Sequence, residues 1–111
     1  MESILTSIKK MLGITEKYTH FDEDIIMHIN SVFMILTQMG IGPETGFRIE
    51  DDLATWEEFT SDNIMLESVK SYMYLKVKSL FDPSASSAVT SSYDRLINEL
   101  EWRLHVAADK T

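Results

Sequence analysis

The feature that most constrains this chain is a helical period of apolar residues, which recurs in four separate segments. Within each segment the apolar positions step by three or four, so they share one face of an α-helix. The alternation typical of strands is almost absent. The sequence therefore predicts an all-α fold, a single four-helix bundle-like domain over residues 1–111. The predicted helices cover about residues 2–12, 22–39, 62–81 and 87–107.

Single residues mark the ends of the predicted helices. Asp22 is placed to cap the start of the second helix, and Gly40 ends it. Pro83 stops the third helix, because the residue before a proline is pushed out of the α region. In the second helix Ile26 and Phe33 widen the apolar stripe, which indicates contact from two sides, as in a bundle. A linker over residues 84–87 and a frayed tail over residues 108–111 complete the prediction.

Residues 41–62 interrupt the helical period. Pro43, with a glycine on each side of it at positions 42 and 46, excludes a helix interior and favours turns. The alternation Phe-Arg-Ile at residues 47–49 predicts a short extended piece. The phrase TWEEF, Thr55–Phe59, predicts one helical turn that pins the loop to the core. The fold class thus includes a structured loop between the second and third long helices.

The charge of the chain is concentrated in this loop. The whole chain has 10 basic and 18 acidic residues, a net charge of −8, and residues 41–62 alone carry seven acids and one arginine. Each contact to a nucleic-acid phosphate needs a cation, so the balance argues against a protein that wraps DNA or RNA. The absence of cysteine excludes disulfides, thiolate zinc sites and a cysteine nucleophile. An amino terminus without a continuous apolar run predicts a soluble, intracellular protein.

Motifs for catalysis or metal binding are missing from the sequence. There is no glycine-rich phosphate loop, no HExxH and no GxSxG. No acidic residue has another acid three positions later, as the paired ligands of small helical nucleotide hydrolases require. Asp24 and His28, four apart, are compatible with a shared metal, but a solvent-facing helix pair is the favoured interpretation. We therefore predict no cofactor, no metal and no catalysed reaction.

Methionines and one tryptophan raise the question of interaction surfaces. Core filling is the simpler interpretation of the methionines, and an adaptable binding groove is the alternative. Trp102 and Val106 lie four apart and off the main stripe of the last helix, where we expect Trp102 to be at least half exposed. They indicate either a contact surface or a tryptophan covering the end of the bundle. The methionines on the two central helices are Met27, Met34, Met39, Met65 and Met73.

Five phrases, in this order, resemble a known family. They are LGI (Leu12–Ile14), the helix end at Gly40, TWEEF (Thr55–Phe59), YLKVKSLFDP (Tyr74–Pro83) and SYDRLINELEWRL (Ser92–Leu104). Together they span nearly the whole chain. With them the sequence resembles the small head-tail connector, or adaptor, proteins of long-tailed bacteriophages and prophages, often labelled DNA-packaging proteins.

The resemblance implies a structural role in the virion. Such subunits form a ring, commonly of twelve, beneath the portal protein after the genome is packaged. The ring extends the DNA channel, lets DNA pass without specific binding, and presents a docking surface to a downstream tail-completion protein. The resemblance therefore implies a location at the head-tail junction, with the host cytoplasm during assembly, and no membrane partner.

Two groups of candidate residues follow from the resemblance. The carboxy-terminal helix of the family engages the portal, and the loop is a candidate for the channel wall or for subunit contacts. The portal-contact candidates are Trp102, His105 and Val106. The channel or subunit-contact candidates are Glu50, Asp51, Asp52 and Trp56.

The acidity of the loop has two compatible explanations. Beside a sliding duplex, negative charge raises the free energy of adhesion within a Debye length of about 8–10 Å. Acids just before a helix also stabilise its N-terminal dipole. The rival hypothesis for the whole protein is a small acidic helical regulator that binds a basic partner, and the oligomeric state distinguishes the two: rings for a connector, a monomer for the regulator.

Overall fold

A computed structural model of the protein describes residues 2–83 and 85–109. Four helices in this part of the chain agree in position with the predicted ones, and the fifth is the single turn predicted within TWEEF. The all-α prediction is confirmed. The helices are α1 (Ile4–Met11), α2 (Asp22–Met39), α3 (Trp56–Phe59), α4 (Asn63–Phe81) and α5 (Ser87–Asp109).

The helix ends follow local chemistry, with one correction. Gly40 adopts a left-handed φ of 92° and closes α2, as only glycine does without strain. Asp62 caps α4 by accepting hydrogen bonds from the backbone N–H groups of Ile64 (3.1 Å) and Met65 (3.0 Å). The prediction that Asp22 caps α2 is wrong. The capping position is Phe21, and Asp22 is the first helical residue, with its carboxylate turned to an ion pair on α1.

The core lies around α4, which makes its most extensive contacts with α5 and α2, while α1 contacts both α2 and α4, and α2 also contacts α5. Each fully buried aliphatic or aromatic side chain stabilises the fold by about 1.5–3 kcal/mol relative to exposure. The second helix supplies a complete stripe, as its period predicted. The buried residues of α2 are Ile25, Ile29, Val32, Phe33 and Leu36. Those of α4 are Leu66, Val69, Tyr72, Met73, Leu75 and Val77.

The remaining differences concern short stretches. Residues 47–49 form no strand, because Ile49 bonds to a side chain of α2 instead of to another backbone. Ser3 and Thr55 form an isolated antiparallel bridge. The last helix continues to Asp109, so the predicted frayed tail begins too early. Position 84 of the predicted linker and positions 110 and 111 of the predicted tail lie outside the described residues.

Candidate interaction surfaces

The acidic loop is held against two helices by hydrogen bonds. On α2 the side chain of Asn30 donates to the Ile49 carbonyl at 2.9 Å and accepts from the Ile49 N–H at 2.8 Å. On α1 the Ile4 N–H donates to the carbonyl of Ala54 at 2.8 Å. Ile49 is itself buried, so the loop has its own anchor in the core. These hydrogen bonds and the buried Ile49 side chain hold the loop, and with it the acidic residues, against α1 and α2.

Glu50, Asp51 and Asp52 lie on the exposed outer side of this loop. One carboxylate oxygen of Asp51 accepts a hydrogen bond from the N–H of Leu53 at 2.9 Å, which keeps the turn tight. Asp52 also lines a shallow surface hollow with Glu2 and Glu16, so the acidic surface extends to the residues before and after α1. Within residues 2–83 and 85–109, no group of three or more acidic or histidine side chains is arranged to hold a metal ion.

Trp56, named with the loop acids as a contact candidate, is a core residue. Its side chain is 3% exposed and its ring lies 6.3 Å from that of Phe33. The indole N–H donates to the hydroxyl of Ser7 at 2.8 Å, and the ammonium of Lys70 sits 5.7 Å above the ring. The structure therefore leaves Trp56 almost no surface for a neighbouring subunit or for DNA. Its large apolar ring is used instead to seat α3 on α1 and α2.

The carboxy-terminal part of α5 exposes the other group of candidates. Trp102 is 66% exposed, which confirms the expected exposure. It lies two residues from the buried Leu104, about 200° around the helix, so it faces directly away from the core. His105 is exposed and Val106 half-buried, and both flank Trp102 at positions i+3 and i+4. The three residues share one face of α5 and are separate from the loop acids.

A groove on α2 was not anticipated by the core-filling interpretation of the methionines. Met73 is buried, but Met27 and Met34 project into solvent, so that interpretation is wrong for these two. They line a groove of about 720 Å³ between the outer side of α2 and residues 45–48 of the loop. Phe47 forms its apolar wall, resting on the core residue Phe33 at 5.0 Å between ring centroids.

A second groove lies where α5 meets α4 and α1. Its apolar lining includes Met11, Leu75 and Leu96, and Arg103 stands at its rim. Leu96, although apolar, is 46% exposed. Only Ile97 and Leu104 of α5 are buried, so most of this 23-residue helix presents its sides to solvent.

Tyr72 is a titratable residue inside the fold whose hydroxyl joins two helices. The Tyr72 hydroxyl is buried between α4 and α5 and donates to a carboxylate oxygen of Glu101 at 2.7 Å. Burial, followed by the neighbouring carboxylate, raises the pKa of Tyr72 well above its ordinary value.

No helix within the described residues is both long and apolar enough to cross a bilayer.

Reasoning from the sequence missed two polar residues that join different elements of the fold, Asn30 and Lys9. Lys9 is buried on α1, 2.8 Å from a carboxylate oxygen of Asp22, and donates to the carbonyl of Glu16 at 2.9 Å. A signal existed for each, since both positions put a polar group beside an apolar stripe. The partners are 19 and 13 residues away, however, and no helical period reports such pairs.

Comparison with known proteins places the chain at the level of a family. The family model described as "Phage connector protein" matches residues 4–111, which include all five helices and the acidic loop. No curated protein and no solved structure matches the chain. The match agrees with the resemblance drawn from the five phrases of the sequence.

Proposed function

The chain belongs to the phage connector protein family, and we propose that it is a head-tail connector subunit that forms a ring under the portal. In this role the ring extends the DNA channel and joins the head to the tail. Connectors are structural parts of the virion, so the protein acts through contacts with other virion components. The observation that carries the proposal is the family match over nearly the entire chain. We further propose a ring of twelve in the virion, a downstream tail-completion protein as the second partner, and no cofactor.

We assign the portal contact to the exposed end of α5. Exposure of a large aromatic ring to water is unfavourable in free energy. When such a ring is buried at a protein interface, it contributes a large part of the binding free energy. Trp102, with Val106 one turn on and His105 beside it, forms such an anchor. The geometry supports this assignment because these side chains are accessible without any rearrangement of the bundle.

The test measures the affinity of a double variant, Trp102→Ala with Val106→Ala, for the portal protein. We expect affinity to fall at least tenfold, roughly the loss of one interface anchor. The matched control is Ile64→Ala, which removes a side chain that is 87% exposed on α4 and far along the chain from α5. Unchanged portal binding by a folded double variant would contradict the assignment.

We assign the acidic loop to the wall of the channel or its mouth. Exposed carboxylates held on a rigid loop repel a passing duplex over about 8 Å at physiological salt. Glu50→Gln, Asp51→Asn and Asp52→Asn together should slow DNA release from assembled particles, with rings still forming. The control neutralises three exposed acids elsewhere, at Asp24, Glu67 and Asp94. If both triple variants release DNA at the same rate, the assignment of the loop to the channel wall is wrong.

The acidic loop also favours the rival function, a small regulator that binds a basic partner. Sedimentation of the purified protein, alone and with portal, separates the two. A monomer that does not bind the portal protein, but binds a basic protein through Glu50, Asp51 and Asp52, would support the regulator. Concentration-dependent or portal-dependent rings support the connector.

A further inference from the structure

The outer face of α2 carries a line of four exposed residues with the spacing of a helix-packing seam, beside residues 45–48 of the loop. Met27, Ser31, Met34 and Gln38 are spaced by four, three and four residues, which places them in one line along the helix. Met34, 64% exposed, lies two residues from each of the buried Val32 and Leu36 and so faces away from the core. Small Ser31 between two flexible methionines leaves a hollow of the kind that receives another helix.

The outer face of α5 carries a matching line. Val89, Ser92, Leu96, Glu99 and Arg103 are spaced by three, four, three and four residues, and Val89 and Leu96 are both exposed. Again a serine separates two apolar side chains one heptad apart. The second groove, which Met11 and Leu75 also line, runs along this line. The pattern on α5 is thus complementary in spacing to the pattern on α2.

The first half of α5 has too few contacts of its own to account for a stable helix. None of residues 87–96 is buried. Their sequence, SAVTSSYDRL, is rich in serine and β-branched residues, which have weak helix propensity. Helices of this kind are held by packing of an apolar face rather than by propensity. This segment therefore calls for a partner surface.

We propose that the seam on α2 of one copy packs against the line Val89–Leu96 on α5 of the next copy, as the repeating contact of the assembly. The occupant is a second copy because both halves of the contact are present on one chain and share no residue. Met34 on α2 and Leu96 on α5 are both exposed and line separate grooves, so the two surfaces are available to different neighbours at once. A contact between two different faces repeats head to tail, and it closes into a ring when the rotation between copies allows closure.

Charge supports the same pairing. Glu23 and Arg48 flank the groove on α2, and neither has an ion-pair partner in the described part of the chain. On α5, Arg95 and Glu99 are exposed beside Leu96. Glu99 is paired with Arg103 at 2.7 Å, so Arg95 is the charge beside Leu96 that has no acidic partner in the described residues, and it is complementary to Glu23 at the groove on α2. The inference rests on the proposed ring, and it leaves Trp102 free for the portal.

Disulfide trapping tests this contact, because the natural chain has no cysteine. We expect mild oxidation of a Met34→Cys, Leu96→Cys double variant to give a ladder of covalent oligomers, since each copy then carries both halves of the contact. Each single variant should remain monomeric on a non-reducing gel. The matched control pairs Ile64→Cys with Leu96→Cys and should give no ladder. Samples are trapped alone and after assembly with the portal protein.

The outcomes separate this contact from the ring itself. Rings seen by electron microscopy without a ladder would overturn the α2–α5 contact and leave the ring standing. Dimers of the Met34→Cys single variant would also overturn it, since they indicate a symmetric contact. Absence of oligomers both with and without portal would overturn the ring and the contact together.

A second measurement does not depend on oxidation. Met34→Glu places a charge in the centre of the apolar seam and should weaken self-association at least tenfold, with unfolding midpoint and portal binding of the single subunit unchanged. Trp102→Ala should do the reverse, weakening portal binding and leaving self-association intact. Equal self-association of Met34→Glu and the wild type would overturn the proposal.

Discussion

Asn30 holds Ile49 through both polar atoms of its side-chain amide, at 2.9 Å to the carbonyl and 2.8 Å from the N–H. The amide thus takes the place of a neighbouring strand for one residue of the loop. It joins the middle of α2 to the point where the acidic residues begin. Because Ile49 is 1% exposed, its backbone groups have little access to water if the amide is removed.

Asn30→Ala should therefore destabilise the protein by about 2–3 kcal/mol, because it leaves a buried donor and a buried acceptor without partners. Urea unfolding followed by circular dichroism gives the free-energy difference. Gln38→Ala, an exposed change on the same helix, is the control and should have little effect. A free energy of unfolding equal to that of the control would show that the loop is anchored elsewhere.

Gly42 and Gly13 separate two ways in which an added methyl group destabilises a fold. Both have positive φ, 88° and 81°. A Cβ at Gly42 would meet the ring of Phe59, with Cζ at 2.8 Å, whereas a Cβ at Gly13 would meet nothing within 4 Å. Gly13→Ala should cost about 1–2 kcal/mol of backbone strain, and Gly42→Ala about 1–3 kcal/mol more from overpacking. Thermal unfolding of both variants measures the difference, and equal losses would contradict the clash.

Removal of one partner of the ion pair between Lys9 and Asp22 should destabilise the fold more than removal of both charges. Lys9→Met keeps the volume but leaves the Asp22 carboxylate without its cation. We expect a loss of about 1–3 kcal/mol, less than the roughly 3–5 kcal/mol of fully buried pairs, because Asp22 keeps some contact with water. Adding Asp22→Asn should recover part of that loss in a double-mutant cycle. Lys10→Met, at an exposed pair with Glu2, serves as the control and should change stability little.

Stability at alkaline pH should depend on Tyr72. Its pKa in the folded protein is raised above the ordinary 10.0 by burial and by Glu101, so the unfolded chain loses the proton first. The contribution is complete below about pH 10 and declines as the pH rises from there. Tyr72→Phe should cost about 1 kcal/mol at pH 7, through loss of the hydrogen bond. It should also flatten the decline in the free energy of unfolding between pH 9 and 11, and parallel pH profiles would contradict the assignment.

The helices were predictable because the information that specifies them is local. A period of three and four residues, an aspartate at the start of α4 and a glycine after α2 act within one or two turns of the chain. The same is true of the loop, whose turn formers and acids are contiguous. The exposure of Trp102 was predictable for a related reason, since it stands on the opposite face from a stripe already assigned to the core.

The positions of individual side chains between elements were not predictable in this way. TWEEF was correctly predicted as a helical turn on the core, yet no local pattern identified the partners of Trp56, because its contact with Ser7 joins residues 49 apart. Met27 and Met34 have the same residue type as buried Met73, and only the absence of a neighbouring helix leaves them exposed. The partners of Asn30 and Lys9 likewise come from other elements.

By itself, the sequence determined an all-α chain with helices of these lengths, an acidic loop between two of them and a connector-like order of phrases. The tertiary structure alone decided that the loop is held to α2 through Asn30, that Trp56 has almost no surface left for a subunit or for DNA, and that Met34 of α2 and Leu96 of α5 stay exposed. The physical reason is that helix formation depends on interactions within a few residues, whereas burial depends on which distant element arrives at a given face.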